Sequence, residues 1–206
     1  MKELSIFENI NELEINDILK SLGARRISFK KDHIILSSLY ENDLIGIVLS
    51  GTVTILKYDY FGNRYILDDL DYNSMFGRPF LYMDKDISVV AATDCEILFL
   101  DYDNLLENNI KYEKINSNLN KIVSLKISEL YERVEILSKR TIREKLLCYF
   151  NMIAKKKGKK TFVLPITYIE LADYLSIDRS AMMRELKKLK DAKLINSNGK
   201  KITILN

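Results

Sequence analysis

The chain has 206 residues, 47% of them hydrophobic and 30% charged, with one histidine and two cysteines. That balance excludes a disordered chain and a disulfide-stapled scaffold, and the length allows one large or two small domains. The net charge of +3 conceals a division: residues 1–137 hold 15 Lys+Arg against 23 Asp+Glu, whereas residues 138–206 hold 17 against 6.

An acidic body joined to a basic C-terminal third is the footprint expected when only the second part meets phosphates. The opening MKELSIFENINELE has no apolar signal core, and no run approaches the roughly 18 apolar residues of a membrane span. A cytoplasmic location is therefore expected. Cys95 and Cys148 lie far apart without metal-ligand spacing; an even pair could make a disulfide, but buried free thiols in a reducing compartment are the expectation.

Residues 11–22 predict a short helix, with Leu13, Ile15, Ile18, Leu19 and Leu22 apolar and Gly23 as its stop. From Ala24 to about Tyr102, short runs rich in Ile, Val, Leu, Tyr and Phe alternate with Gly, Asn and Asp. The runs are ISF, HIIL, LIGIVL, GTVTILKYDY, RYILDDL, ISVVAA and EILFL. Such close spacing predicts a compact β-roll or sandwich rather than βα units. Phe61-Gly62-Asn63-Arg64 is a hairpin-turn candidate.

A long helix is predicted over about 112–137. Val123, Ile127, Leu130, Val134 and Leu137 follow the 4-3-4-3 rhythm of a coiled-coil seam, with Ile115 and Leu119 upstream. A second row, Ile122, Leu125 and Ile136, is expected to lean on the β-roll. Two apolar faces on one helix predict a partner, read here as a second copy of the chain. Ser138-Lys139 breaks the pattern, and a further helix over about 141–156 buries Ile142, Leu146, Leu147, Phe150 and Ile153. The run Lys155 to Lys160 is a solvated loop or a contact to a DNA backbone; a short strand, TFVLPI, follows it.

The most informative stretch is LPITYIELADYLSIDRSAMMRELKKLKDAKLINSNGKKITIL, residues 164–205. Thr167 and Glu170 form a T-x-x-E capping box at a helix start. Ile169, Leu171 and Leu175 are apolar near helical spacing, and Ala172 permits a close helix crossing. Ser176-Ile177-Asp178 reads as a turn, with Asp178 capping a second helix over about 179–191. On the wheel of that helix Met182, Leu186 and Leu189 share one stripe. Ser180, Arg184 and Lys187 share the opposite stripe, with Met183 and Lys188 flanking it. A hairpin around Asn198-Gly199 completes a winged helix-turn-helix, and a helix with a dry back and cationic front suits the major groove.

The order of these parts resembles the bacterial regulators related to the cAMP receptor protein and FNR, over nearly the whole chain. The T167-to-L189 stretch resembles that family's DNA-binding signature. Gly51 with TVTIL, Tyr72 to Gly77, and Ala91 to Glu96 echo its β-roll. The resemblance implies an α+β fold: an N-terminal double-stranded β-helix (jelly-roll, cyclic-nucleotide-binding-like) domain over 1–111, a dimerisation helix over 112–137 and a winged helix-turn-helix over 138–206. It implies base reading by Arg179, Ser180 and Arg184, with Arg184 in the place of a guanine-reading arginine. Met183, Lys187, Lys188 and Thr167 complete the expected DNA-contact set. Ser180 replaces a frequent glutamate, so the operator should differ from those of the best-known members. Ser176 replaces the turn glycine, a strained substitution if φ is positive there.

In the resemblance, a ribose-binding glutamate belongs at position 78, where this chain has Arg78. The phosphate-binding Arg-Ser pair falls at Lys85-Asp86, and the adenine contacts fall at Lys126 and Ile127. Each key group is missing or inverted, so cAMP binding is not expected. An iron–sulfur cluster needs about four thiolates, and the sole histidine, His33, reads as an exposed loop residue. No cofactor and no haem are expected. A different effector or none remains: Arg78, Lys85, Tyr82 and Lys126 are candidates for a small anion, with Tyr72, Phe76 and Phe80 as aromatic walls, or else these are ordinary packing and surface charge. A metalloenzyme on a β-roll would need several histidines, so no enzyme is expected. The expected partners are double-stranded DNA, a second copy of the chain and, for an activator, RNA polymerase.

Overall fold

The computed structural model describes residues 1, 3–37, 43–62, 64–80, 86–108 and 112–205. Two compact units divide the chain, Met1–Leu125 and Lys126–Asn206. The first begins with a single 3-10 turn, Ser5–Phe7, and the helix α1, Glu12–Ser21, capped by the Asn11 side chain. Among the described residues eight strands follow: β1 Arg25–Phe29, β2 Ile34–Ser37, β3 Leu44–Ser50, β4 Val53–Tyr58, β5 Arg64–Leu70, β6 Met75–Gly77, β7 Ile87–Ala91 and β8 Cys95–Asp101. They form two antiparallel sheets in the orders β1-β8-β3-β6 and β2-β7-β4-β5. The short helix α2, Tyr102–Glu107, leads to the long helix α3, Glu113–Leu137.

The continuous apolar runs LIGIVL and EILFL have a physical reason. The first sheet is covered on both faces, so neither face needs polar residues. Along β8, Cys95, Ile97 and Phe99 enter the core between the sheets, with Val48, Val89 and Phe76. Leu98 and Leu100 point the other way, into a second cluster with Leu4, Ile6, Phe7, Ile15, Ile115 and Leu119. The N-terminal segment thus closes the outer face of the sheet, which its own short motifs do not announce. Asn118 on α3 secures it, its side-chain amide donating to the carbonyls of Ile6 and Glu8 at 2.9 Å each.

Tyr72 to Gly77 is a turn entering β6, a strand not foreseen in the sequence. Asn73 takes the positive φ, +69°, and its Oδ1 accepts from Ser5 N at 2.9 Å. Gly77 has φ +78°, and a Cβ there would lie 2.2 Å from the Leu44 carbonyl oxygen, so only glycine fits.

The second unit contains the end of α3, then α4 Ile142–Lys157, β9 Thr161–Val163, α5 Tyr168–Tyr174, α6 Arg179–Asp191, β10 Ile195–Asn198 and β11 Lys201–Ile204. The three strands make one antiparallel sheet, β10-β11-β9. Ile136 corrects one expectation. It does not lean on the β-roll but is 1% exposed within the second unit's core, because the chain reverses after Leu137 and α4 covers that face. Glu132 accepts from Lys156 on α4 at 2.5 Å across the same hairpin. Leu125 is exposed, and of the expected second row only Ile122 packs on the first unit's cluster. The seam residues Ile127, Leu130 and Val134 are 47%, 54% and 60% exposed.

Candidate nucleic-acid interface

Two capping boxes start the helices of the second unit. Thr141 and Glu144 cap α4, and Thr167 and Glu170 cap α5, each pair exchanging both hydrogen bonds. Such a cap is worth about 1 kcal/mol, enough to fix where a short helix begins. The box at Thr141 has the same T-x-x-E spelling as the one read from the sequence. In each box the hydrogen bonds from the threonine lower the glutamate's carboxyl below its ordinary range.

Between α5 and α6 the chain turns at Ser176, whose φ is +52°, so serine accepts the strain that glycine would avoid. The turn is held from outside. Lys145 of α4 donates its ammonium to the Leu175 carbonyl at 3.0 Å, at the C-terminal end of α5, where a cation also meets the favourable end of the helix dipole. Asp178 then caps α6, accepting from Ala181 N at 2.8 Å.

Helix α6 carries the charge pattern of the site. Met182, Leu186 and Leu189 are buried against Leu146, Phe150, Leu171 and Leu175. Each such burial contributes roughly 1.5–3 kcal/mol, so the helix cannot roll to present a different face. That leaves Arg179, Ser180, Met183, Arg184, Lys187 and Lys188 all exposed on the remaining surface of α6. Lys188 turns back to Glu185 at 3.2 Å. Arg179, Arg184 and Lys187 pair with no carboxylate among the described residues. Thr167 is exposed at the start of α5, while Ile169, expected among the apolar contacts, is also exposed: only Leu171 and Ala172 of that helix, with the cap residue Leu175 after it, are buried.

Three positioning contacts were not readable from local sequence. Besides Lys145, Lys190 at the end of α6 donates to the Ser197 carbonyl at 3.2 Å, and the Tyr168 hydroxyl donates to the Gly199 carbonyl at 2.7 Å. The last two join α6 and α5 to the wing. Tyr149 lies deep enough in the core that burial pushes its phenol up to about 12.

The candidate effector residues are dispersed. Arg78 follows β6 and pairs with Asp43 at 3.1 Å, and its backbone amide donates to the Leu44 carbonyl. Phe76 is not a pocket wall: it is fully buried, edge-on to Phe99 at 6.2 Å and packed against the Gly46 backbone. Tyr72 is exposed, and Phe80 packs on the helical cluster. Lys126 lies on α3, half-buried. Lys85 and Tyr82 lie outside the described residues. His33 is exposed at the entrance to β2. Burial raises the thiols of Cys95 and Cys148, opposite to the shift of an activated cysteine.

Comparison with known proteins places these features in context. Residues 144–206 match the Crp-like helix-turn-helix domain, and residues 26–108 match the cyclic nucleotide-binding domain. The chain is 31% identical over 119 residues to a probable transcriptional regulator, flp, of Lacticaseibacillus casei, covering 58% of this chain and 53% of that protein. It is 24% identical over 187 residues to the transcriptional activator protein FnrL of Cereibacter sphaeroides, covering 86% and 75%. The chain therefore spans only about half of the first of these relatives. Its fold is similar to that of CprK in complex with OCPA, with a TM-score of 0.71 at 14% identity, covering 94% of this chain and 89% of that one. Among the described residues, no helix is long and apolar enough to cross a membrane.

Proposed function

This chain belongs to the Crp/Fnr family, and from that premise we propose that it is a homodimeric, sequence-specific transcription regulator of the cytoplasm that reads an inverted repeat. The observation that carries the reading is α6: a helix locked by Met182, Leu186 and Leu189 that turns Arg179, Ser180, Arg184 and Lys187 outward on one surface. Two such helices related by a dyad would enter successive major grooves about 34 Å apart. Selection of bound duplexes from a random pool tests this. Recovery of an inverted repeat is the expected result, and no enrichment at low salt refutes the reading.

The exposed row Ile127, Leu130 and Val134 supports the dimer, since a stripe of that spacing gains stability by packing its side chains into those of a second helix. Leu130→Asp should convert the dimer to monomer in sedimentation experiments and abolish tight binding to the repeat. A monomeric wild-type protein would remove this part of the proposal.

The effector is something other than cAMP, or the protein acts without one. Arg78, which stands where the resemblance requires a glutamate, is already engaged by Asp43. Calorimetric titration with cAMP should give no binding heat, and saturable micromolar binding would overturn the statement. If the regulator activates, RNA polymerase is its further partner.

A further inference from the structure

Tyr168 is the first residue of α5, next to the cap Thr167, and its ring is half-buried. Its hydroxyl reaches the carbonyl of Gly199 at the wing tip at 2.7 Å, and the next carbonyl, that of Lys200, accepts from Leu164 N at 2.9 Å. Two consecutive carbonyls of a two-residue hairpin turn are therefore tied to the segment that leads into α5. Gly199 has φ +54° with open space around it, so the turn geometry, not packing, selects the glycine. The hairpin strands are only four residues each, and besides these two bonds the tip is held by the pairing of Lys201 with Asn198 on one side and with Val163 on the other.

The tip carries Lys200, exposed and close enough to Glu170 to lower that carboxyl, yet paired with no carboxylate among the described residues. Lys201 follows it, also exposed. A cation held at a defined place loses less freedom on meeting an anion than one on a loose loop. Burial raises the Tyr168 phenol, so it stays a donor at any working pH, with a hydrogen bond from Ser197 opposing part of the shift.

We propose that Tyr168 is a positioning residue for DNA binding: by holding the Gly199 carbonyl it sets the wing tip so that the Lys200 ammonium contacts a phosphate of the duplex. The proposal rests on the DNA-binding reading of α6 and adds a second contact surface to it. The wing contact carries affinity and not sequence preference, because a phosphate presents the same charge at every base pair.

The test is a salt series of duplex binding by fluorescence anisotropy, on a mixed-sequence duplex and on the selected repeat. It compares the full chain, Tyr168→Phe, Lys200→Ala and the double variant. Lys200→Ala should lower the slope of log affinity against log salt by about one per protomer, so that a fourfold rise in salt costs it roughly threefold less than the wild type for each lost contact. Tyr168→Phe keeps the ring, and its thermal midpoint should stay near that of the wild type. It should nevertheless lose part of the same slope, and Lys200→Ala should have a smaller effect in that background. An unchanged slope in Lys200→Ala, or independent effects of the two substitutions, overturns the proposal. In those cases the wild type still binds and Arg184→Ala still loses sequence preference, so the reading of α6 stands. A wild type that binds no duplex at low salt removes both.

Discussion

Four cations of the β-roll unit and three of α6 are treated in opposite ways. In the roll, Lys30 is answered by Asp94, Arg78 by Asp43, Lys114 by Glu14 and Lys121 by Glu8, at 2.6 to 3.1 Å. On α6, Arg179, Arg184 and Lys187 stand exposed with no carboxylate partner among the described residues, and only Lys188 has one in Glu185. A paired cation has part of its field answered by its neighbour. An unpaired row on a helix locked by its buried stripe keeps its field for an anion from outside. Pairing alone does not mark the surface, since Lys20, Arg25, Arg26 and Lys57 of the first unit are also exposed with no carboxylate partner among the described residues; what distinguishes α6 is that its unpaired cations share one face of a locked helix.

The contrast is broken most decisively at Arg184. A bidentate arginine–guanine contact is worth about 1–3 kcal/mol of discrimination, so Arg184→Ala should lose roughly ten- to a hundredfold preference for the selected repeat over a mismatched one. Its exposed position predicts an unchanged thermal midpoint. Competition binding measures the first quantity and thermal unfolding the second. Preference retained in the variant would mean that α6 is not the element that reads bases.

The roll side gives a smaller effect. Arg78 and Asp43 are both about half exposed, and pairs of that kind contribute about 0–1 kcal/mol. Arg78→Ala should lower the thermal midpoint slightly and leave duplex affinity as it was. A loss of affinity rivalling that of Arg184→Ala would show that a cation paired in the roll also meets the duplex, and α6 would no longer stand apart as described.

The parts that were legible in the sequence are those decided within a few residues. The capping box at Thr167, the cap at Asp178 and the buried stripe Met182, Leu186 and Leu189 are local, and helix α6 spans the expected Arg179–Asp191. Strand β5 spans the whole of the run RYILDDL for a similar reason, since turn residues bound it. What escaped was set by residues far away. The aromatic Phe76 could be read as a pocket wall or as ordinary packing, and it is Gly46 and Phe99, both distant in sequence, that enclose it in the core. Ile136 had the right period for either body, and only the reversal into α4 decided which one buried it. Arg78 finds its carboxylate 35 positions upstream, and Tyr168 finds its carbonyl 31 positions downstream. No window short enough to show a helix period contains either pair.

The smallest expected effect concerns an acid within the basic unit. Glu170 is held by amide and hydroxyl donors and not by an ion pair: Thr167 N donates to its carboxylate at 2.6 Å. Those donors favour the charged form, so the carboxyl titrates below its ordinary value in the folded protein, with Lys200 adding to the shift. In the unfolded chain it takes up its proton first as pH falls. Its contribution to stability is therefore complete above the ordinary carboxylate range, declines as pH drops into that range and is gone below the lowered folded value. Glu170→Gln should lower the thermal midpoint modestly at neutral pH, and the gap between variant and wild type should close on acidification. Because Glu144 sits in the other capping box with the same direction of shift, Glu144→Gln should behave alike. A gap that persisted at acid pH would mean that shape, and not the carboxylate's charge, makes the cap. The acids of this unit would then belong with the scaffold, and the contrast between paired and unpaired charge would rest on its cations alone.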